Sequence, residues 1–167
     1  MPKAICAGRR SNMTDDLPDD LAVIVPARRG SSRIAEKCLL PFGDQPTLIH
    51  WKLSQLVKVI DPARIYLSSE DDEFLAIAEK FGVPQHKRAR RISIGHEAPF
   101  RDVITGIVSE IDHEHIAWAT VVCPLMTPRE YADAFAAYAQ QVIGGGKGFA
   151  AGGEPGSGLF LVRWRCA

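Results

Sequence analysis

The ten residues from Arg28 to Lys37 gather three arginines, a lysine, a glycine and two serines. They follow directly on an apolar run, Leu21 to Val25. An apolar run bounded by turn chemistry suits a buried strand, and the loop leaving its carboxyl end lies where open α/β sheets bind ligands. Small residues let backbone N–H groups approach a ligand closely, so Gly30 and Ser31 can form a concave nest for an anion. Arg28, just past the strand, and Lys37, at the far end of the loop, are placed to reach phosphates, with Arg29 between them. Each charge-assisted hydrogen bond to a phosphate contributes roughly 1.5–3 kcal/mol. A solvated basic loop is the plain alternative; the abrupt change from strand to loop favours a polyphosphate. The stretch has no Gly-Lys-Ser/Thr and so is not a Walker A loop, and it lacks the Gly-x-Gly-x-x-Gly fingerprint of dinucleotide enzymes. A second cationic stretch, Lys87-Arg88-Ala89-Arg90-Arg91, reads as a solvated charge run or as a further ligand contact, with Arg88 the residue chosen from it.

These residues need a scaffold, and the rest of the chain reads as one. Leu21 to Val25 predicts a first strand. Ile49, Leu53, Leu56, Val57 and Ile60 form one helical face opened by Pro46. Arg64 to Ser68 predicts a second strand, and Ser69 caps a helix with Phe74, Ile77, Ala78 and Phe81 on its apolar face, closed by Gly82. Val83 to His86 suits a short strand. Phe100, Val103, Ile104, Ile107, Val108 and Ile111 recur at helical spacing, and Trp118 to Cys123 is β-rich. Thr127-Pro128-Arg129-Glu130 is a capping box that starts a helix reaching about Val142. Alternating strands and helices imply a mainly parallel sheet covered on both faces.

This organisation predicts a disordered leader over 1–20, an α/β domain over 21–142 and a Gly-rich tail over 143–167. Leu159 to Trp164 alone in that tail suits a strand. At 167 residues, 46% hydrophobic and 24% charged, the chain has the composition of a soluble domain. Lys+Arg and Asp+Glu both total 20, so no global field recruits nucleic acid or a membrane surface. No stretch is apolar enough to span a bilayer and the N-terminus lacks a signal-peptide core, so a cytoplasmic setting is the default. Cys6, Cys38, Cys123 and Cys166 form no Cys-x-x-Cys pair and read as reduced thiols rather than a zinc site or disulfide framework. His113 and His115 read as solvated turn residues.

Three motifs in order resemble the acylneuraminate cytidylyltransferases, which make CMP-sugar acids. Pro26-Ala27-Arg28-Arg29-Gly30-Ser31 with Lys37 matches the family's Pro-Ala-Arg-x-Gly-Ser and its lysine. Gly43-Asp44-Gln45-Pro46-Thr47-Leu48-Ile49 resembles its Gly-x-Pro-Leu-Ile segment with one inserted residue. Ile65 to Glu73 resembles its strand ending in Ser-Thr-Asp-Asp-Glu, and Ala76 to Val83 continues in register. The similarity covers about Ala22 to Tyr138.

It implies a Rossmann-like, three-layer αβα nucleotidyltransferase fold. It also implies that a sugar hydroxyl attacks the α-phosphate of CTP in line while pyrophosphate leaves, usually with Mg²⁺. The acceptor would be a sugar acid such as N-acylneuraminate (sialic acid), as in lipopolysaccharide or capsule biosynthesis. By the same resemblance Arg28, Ser31 and Lys37 would hold the triphosphate, with Arg28 and Lys37 the catalytic pair. Pro26, Ala27 and Arg28 would lie beside the cytosine, Arg29 and Gly30 would complete the loop, and Arg88 would approach the base. A homodimer is left open.

The chain departs from the family in four places. Cys38 replaces the asparagine after the lysine. Ile92-Ser93-Ile94-Gly95-His96-Glu97 replaces a Leu-Ala-x-Asp segment. Cys123-Pro124-Leu125-Met126-Thr127-Pro128 replaces Gln-Pro-Thr-Ser-Pro-Leu, with Met126 a packing residue. The family's sugar pocket, much of its dimer contact and its metal-binding aspartates lie beyond the matched region. No metal ligand is assigned, and Asp71 and Asp72 read as helix-start charges. This implies a C-terminally shortened chain whose tail, read one base later over Lys147 to Gly153, can encode an apolar run. The alternatives are a nucleotide-binding remnant without catalysis, a cytidylyltransferase for another acceptor such as Kdo, and a flavodoxin-like binding module.

Overall fold

The computed structural model describes residues 17, 20–29, 34–89, 99–143, 149–152 and 159–163. Its strands are β1 (Leu21–Pro26), β2 (Ile65–Ser69), β3 (Gln85–Lys87), β4 (His115–Ala119), β5 (Phe149–Gly152) and β6 (Leu159–Arg163). Its α-helices are α1 (Leu48–Leu56), α2 (Asp72–Lys80), α3 (Phe100–Val108) and α4 (Pro128–Tyr138). The strands form one sheet in the order β3-β2-β1-β4-β6-β5. Neighbours from β3 through β4 pair in parallel, and only β6 runs against the others.

β1 lies between β2 and β4, with Val23 opposite Ile65 on one side and Ala117 on the other. Its side chains alternate between two cores, as the two-residue period of a strand requires. Leu21, Val23 and Val25 pack with Ile49, Leu53 and Leu56 of α1, Phe74 and Ile77 of α2, and Phe135 of α4. Ala22 and Ile24 pack with Ile107 and Val108 of α3. The sheet is therefore the middle of three layers, with α1, α2 and α4 on one face and α3 on the other.

Local chemistry sets the helix ends. The Thr47 hydroxyl accepts from the His50 N–H at 3.2 Å and caps α1. α1 ends at Leu56, short of the predicted face, while Val59 and Ile60 stay buried in the turn that follows. Asp71, rather than Ser69, caps α2, and the Ser69 hydroxyl accepts the Asp71 N–H one step upstream at 3.1 Å. Gly82 closes α2 with φ of 65°, a left-handed conformation that glycine adopts without steric cost. The Thr127–Glu130 capping box opens α4, which passes into one turn of π-helix over Ala139–Ile143.

Three expectations change. The strand predicted from Trp118 to Cys123 is instead His115–Ala119, because only that segment has β1 and β6 beside it. Thr120 to Cys123, though β-rich, has run past the sheet edge into a turn. His115 is therefore a buried strand residue whose Nδ1 lies 2.9 Å from the Tyr138 hydroxyl, and burial pulls its pKa down. His113 does sit in the turn before the strand, beside Asp20 at 2.9 Å. Finally, the Gly-rich tail contributes an unexpected strand, β5, to the same sheet, beside β6, the strand expected over Leu159 to Trp164. β6 pairs with the edge of β4 and β5 with β6, which supplies the hydrogen bonds that glycine content alone would not.

Candidate functional site

β1, β2 and β3 run in parallel, so their carboxyl ends open on one edge of the sheet, and the first residues past each end meet there. Ala27 follows β1, Glu70 follows β2 and Arg88 follows β3. The Ala27 N–H donates to the Ser68 carbonyl at 2.9 Å, continuing the ladder one step past the strand. Its carbonyl accepts from Arg88 Nη2 at 2.7 Å. The same Nη2 and Nε of Arg88 reach Glu70 Oε2 at 2.9 and 3.1 Å. The Arg88 side chain is 3% exposed, and a guanidinium so buried needs its paired carboxylate. Arg88 thus fixes the backbone at Ala27 from beneath.

Lys37 and Arg28 complete the cationic group. Lys37 opens a short 3₁₀ turn, Lys37–Leu39, and is half-buried; Arg28 is half-buried as well. Cys38, next to Lys37 in the chain, is buried. Burial pushes the Cys38 thiol up, while a hydrogen bond from the Arg28 backbone and the charges of Lys37, Arg28 and Arg88 oppose that rise. One buried sulfur thus lies within the field of all three cations. Ala27 and Arg88, 61 residues apart, are brought into contact, with Pro26 and Arg28 on either side of Ala27 in the chain, and the charges of Lys37, Arg28 and Arg88 all act on Cys38. Gly30 and Ser31 lie outside the described residues, as do Arg90, Arg91 and the 92–97 segment.

Arg29 has partners other than the expected phosphate. Its Nε reaches Asp71 Oδ2 at 2.6 Å, its Nη1 reaches Glu36 Oε1 at 2.5 Å and its Nη2 pairs with Glu73. The guanidinium also lies 5.5 Å from the centre of the Phe74 ring. These acids hold Arg29 firmly protonated, and Arg29 in turn lowers the Asp71 carboxyl. Asp71 has a second duty as the cap of α2, through Oδ1 and the Glu73 N–H at 3.0 Å. Asp71 and Asp72 do stand at the helix start, as their reading as helix-start charges requires.

The loop after β4 borders the site next to β1, and α1 holds it by two consecutive side chains. Trp51 Nε1 donates to the Pro124 carbonyl at 2.8 Å. Lys52 Nζ donates to the Cys123 carbonyl at 2.7 Å and to the Tyr131 hydroxyl at 2.6 Å. Lys52 is 2% exposed, and desolvation lowers its pKa to about 8. Sequence reasoning passed over Lys52, although a signal was present. It lies four residues after Leu48 and three after Ile49, inside the apolar stripe of α1, where a lysine is out of place unless it has a polar target. Met126 packs against the main core as expected.

Among the described residues no three His, Cys, Asp or Glu side chains converge as a metal site. The nearest acids, Glu70, Asp71 and Glu73, are already paired with Arg88 and Arg29. The described residues therefore do not fit a protein-held Mg²⁺. Among them, too, no helix is long and apolar enough to cross a membrane.

The sequence pattern of the family described as cytidylyltransferase matches residues 22–142. The chain belongs to the cytidylyltransferase family. No curated protein matches it. Among solved structures it resembles a cytidylyltransferase from Leptospira borgpetersenii serovar Hardjo-bovis, with a TM-score of 0.63 and 19% identity. That likeness covers 86% of this chain and 60% of that one. It also resembles a CMP:2-keto-3-deoxy-manno-octonic acid synthetase complexed with CTP (TM-score 0.52, 18% identity, 71% of this chain and 47% of that one). A third likeness is a 4-diphosphocytidyl-2C-methyl-D-erythritol synthase from Anaerococcus prevotii (TM-score 0.53, 14% identity, 77% and 53%). The fold is the Rossmann-like αβα fold of the nucleotidyltransferases, and the chain spans about 60% of the first of these structures.

Proposed function

We propose that this chain binds CTP at the carboxyl edge of β1–β3 and transfers CMP to a sugar acid such as N-acylneuraminate, releasing pyrophosphate. The carrying observation is that Ala27 after β1 and Arg88 after β3 meet at the carboxyl edge of the sheet, with Arg28 next to Ala27 in the chain and Lys37 at the loop's return, inside the span matched by the cytidylyltransferase family. Arg88 holds Glu70 and the Ala27 carbonyl, and Arg28 and Lys37 are proposed to neutralise the phosphates. Ser31 and the backbone at Gly30 are proposed to cradle the same triphosphate. Pro26 and Ala27 form the wall beside the base.

In the transfer, a sugar hydroxyl oxygen bonds to the α-phosphorus as the bond to the bridging oxygen breaks. Pyrophosphate carries away that electron pair, and the hydroxyl proton passes to solvent or to a base. Charge builds on the phosphate oxygens, and fixed cations stabilise it without reorganising. Mg²⁺ enters with the triphosphate, as part of the substrate. The setting is cytoplasmic and the assembly open to the chain is a homodimer.

Calorimetric titration with CTP in the presence of Mg²⁺ tests the reading, followed by pyrophosphate release across a panel of sugar acids that includes Kdo. Saturable CTP binding with release for one acceptor supports it. Binding without release for any acceptor reduces the chain to a nucleotide-binding module.

A further inference from the structure

Resting on the CTP reading above, we infer that Arg29 is a positioning residue: an ion-pair clasp that closes the neck of the phosphate loop and ties it to the start of α2. Arg29 and Glu36 stand seven residues apart, one at each end of the loop, and their side chains meet at 2.5 Å. The other two carboxylates come from α2 and its cap, 42 and 44 residues away in sequence. One guanidinium thus joins the strand end, the loop's return and the helix. Arginine suits this task, because its planar fork can meet several carboxylates at once where a lysine ammonium is a single point charge.

The side chains are graded in exposure. Asp71 is 18% exposed, Arg29 39%, and Glu36 and Glu73 more than half. Asp71 is accordingly the strong contact and the other two are weaker, as open ion pairs are. Its two carboxylate oxygens divide the work, one capping α2 and the other holding Arg29.

The loop pays for this geometry at Glu36. It is the single non-glycine residue with positive φ among the described residues, at 47°. A left-handed conformation at a residue with a Cβ is sterically costly and persists only where its surroundings hold it. The clasp supplies that hold. Immediately after Glu36 the chain turns into Lys37–Leu39, with the Leu39 N–H donating to the Glu36 carbonyl at 2.8 Å. The clasp therefore sets where Lys37 stands, without Arg29 touching phosphate.

The alternative, Arg29 as a phosphate ligand held back by acids, predicts effects of the opposite sign. Glu36→Gln, Glu73→Gln and Asp71→Asn each remove a charge that would compete with phosphate. If Arg29 were a ligand, all three would tighten CTP. A clasp predicts weaker binding: about 2-fold for each glutamine variant and about 10-fold for Asp71→Asn, as the fraction of loop in the competent form falls. Asparagine remains a good helix cap, so Asp71→Asn leaves α2 intact. Arg29→Lys should weaken CTP nearly as much as Arg29→Gln.

A second readout needs no ligand. Amide hydrogen exchange at Leu39 and Leu40 should quicken about 10-fold in Asp71→Asn, with the amides of α1 unchanged. Tighter CTP binding in any acid variant, or unaltered exchange at Leu39, overturns the clasp. Quickened exchange in a protein that does not bind CTP upholds the clasp and refutes the CTP reading instead.

Discussion

Lys52→Met tests whether a charge is carried inside the fold. Lys52 is buried between α1, α4 and the loop after β4, and among the described residues its Nζ donates to the Cys123 carbonyl and the Tyr131 hydroxyl. Neither partner carries a full negative charge at neutral pH, since burial pushes the Tyr131 phenol well above its ordinary value. Desolvation takes Lys52 from 10.5 to about 8. At about 1.4 kcal/mol for each tenfold change in proton affinity, that difference is about 3 kcal/mol.

The sign follows from the direction of the shift. Below about pH 8 the lysine is protonated in both states, and the folded state carries the full cost of its buried charge. Between about 8 and 10.5 the unfolded chain binds more protons, so stability rises with pH. Urea denaturation of wild type and Lys52→Met at pH 7, 8, 9 and 10 should show the wild type gaining most of about 3 kcal/mol relative to the variant. Taking the difference between the two proteins removes Cys38, whose raised thiol works the other way above about pH 9. At pH 7 the variant loses two hydrogen bonds and one buried charge, so the slope decides rather than the single value. Parallel curves would refute a desolvated lysine at this position.

Two further substitutions probe the site and its frame. Glu70→Ala leaves the Arg88 guanidinium without its carboxylate; removing one partner of a buried pair costs about 3–5 kcal/mol, and partial exposure of Glu70 reduces this to about 2 kcal/mol. Urea denaturation measures it, and a loss under about 0.5 kcal/mol would show that the strut beneath Ala27 carries little. Thr127→Ala removes the hydroxyl that accepts the Glu130 N–H, which should cost about 1 kcal/mol and lower the thermal midpoint by a few degrees.

Much of the scaffold could be read from the sequence because local chemistry decides it. Leu21 to Val25 is apolar throughout because β1 is buried on both faces, and Gly82 and the Thr127–Glu130 box mark helix ends through backbone hydrogen bonding alone. The cationic loop was legible for the same reason: its residues are contiguous and follow a strand. What escaped notice depends on distant partners. Arg29 looks like a phosphate ligand until Asp71 and Glu73 are brought to it by the parallel pairing of β1 and β2. Lys52 looks like a surface lysine until Tyr131 and the Cys123 carbonyl face it. His115 looks solvated until β1 and β6 flank it. The β-rich Thr120 to Cys123 lacks a neighbouring strand, and propensity without pairing makes no sheet. β6 forms because β4 offers an edge, and β5, which ends in Gly152, pairs with β6 in turn.

The central claim is that the cations past β1 hold the triphosphate of CTP. Titration of wild type and Arg28→Ala with CTP and Mg²⁺, beside a thermal melt of each, tests it most directly. The account predicts saturable binding to the wild type. Arg28→Ala should bind about 10- to 100-fold more weakly, the worth of one charge-assisted contact, while staying folded by its melt. Equal CTP affinity in the two proteins, or no CTP binding by the wild type, would contradict it.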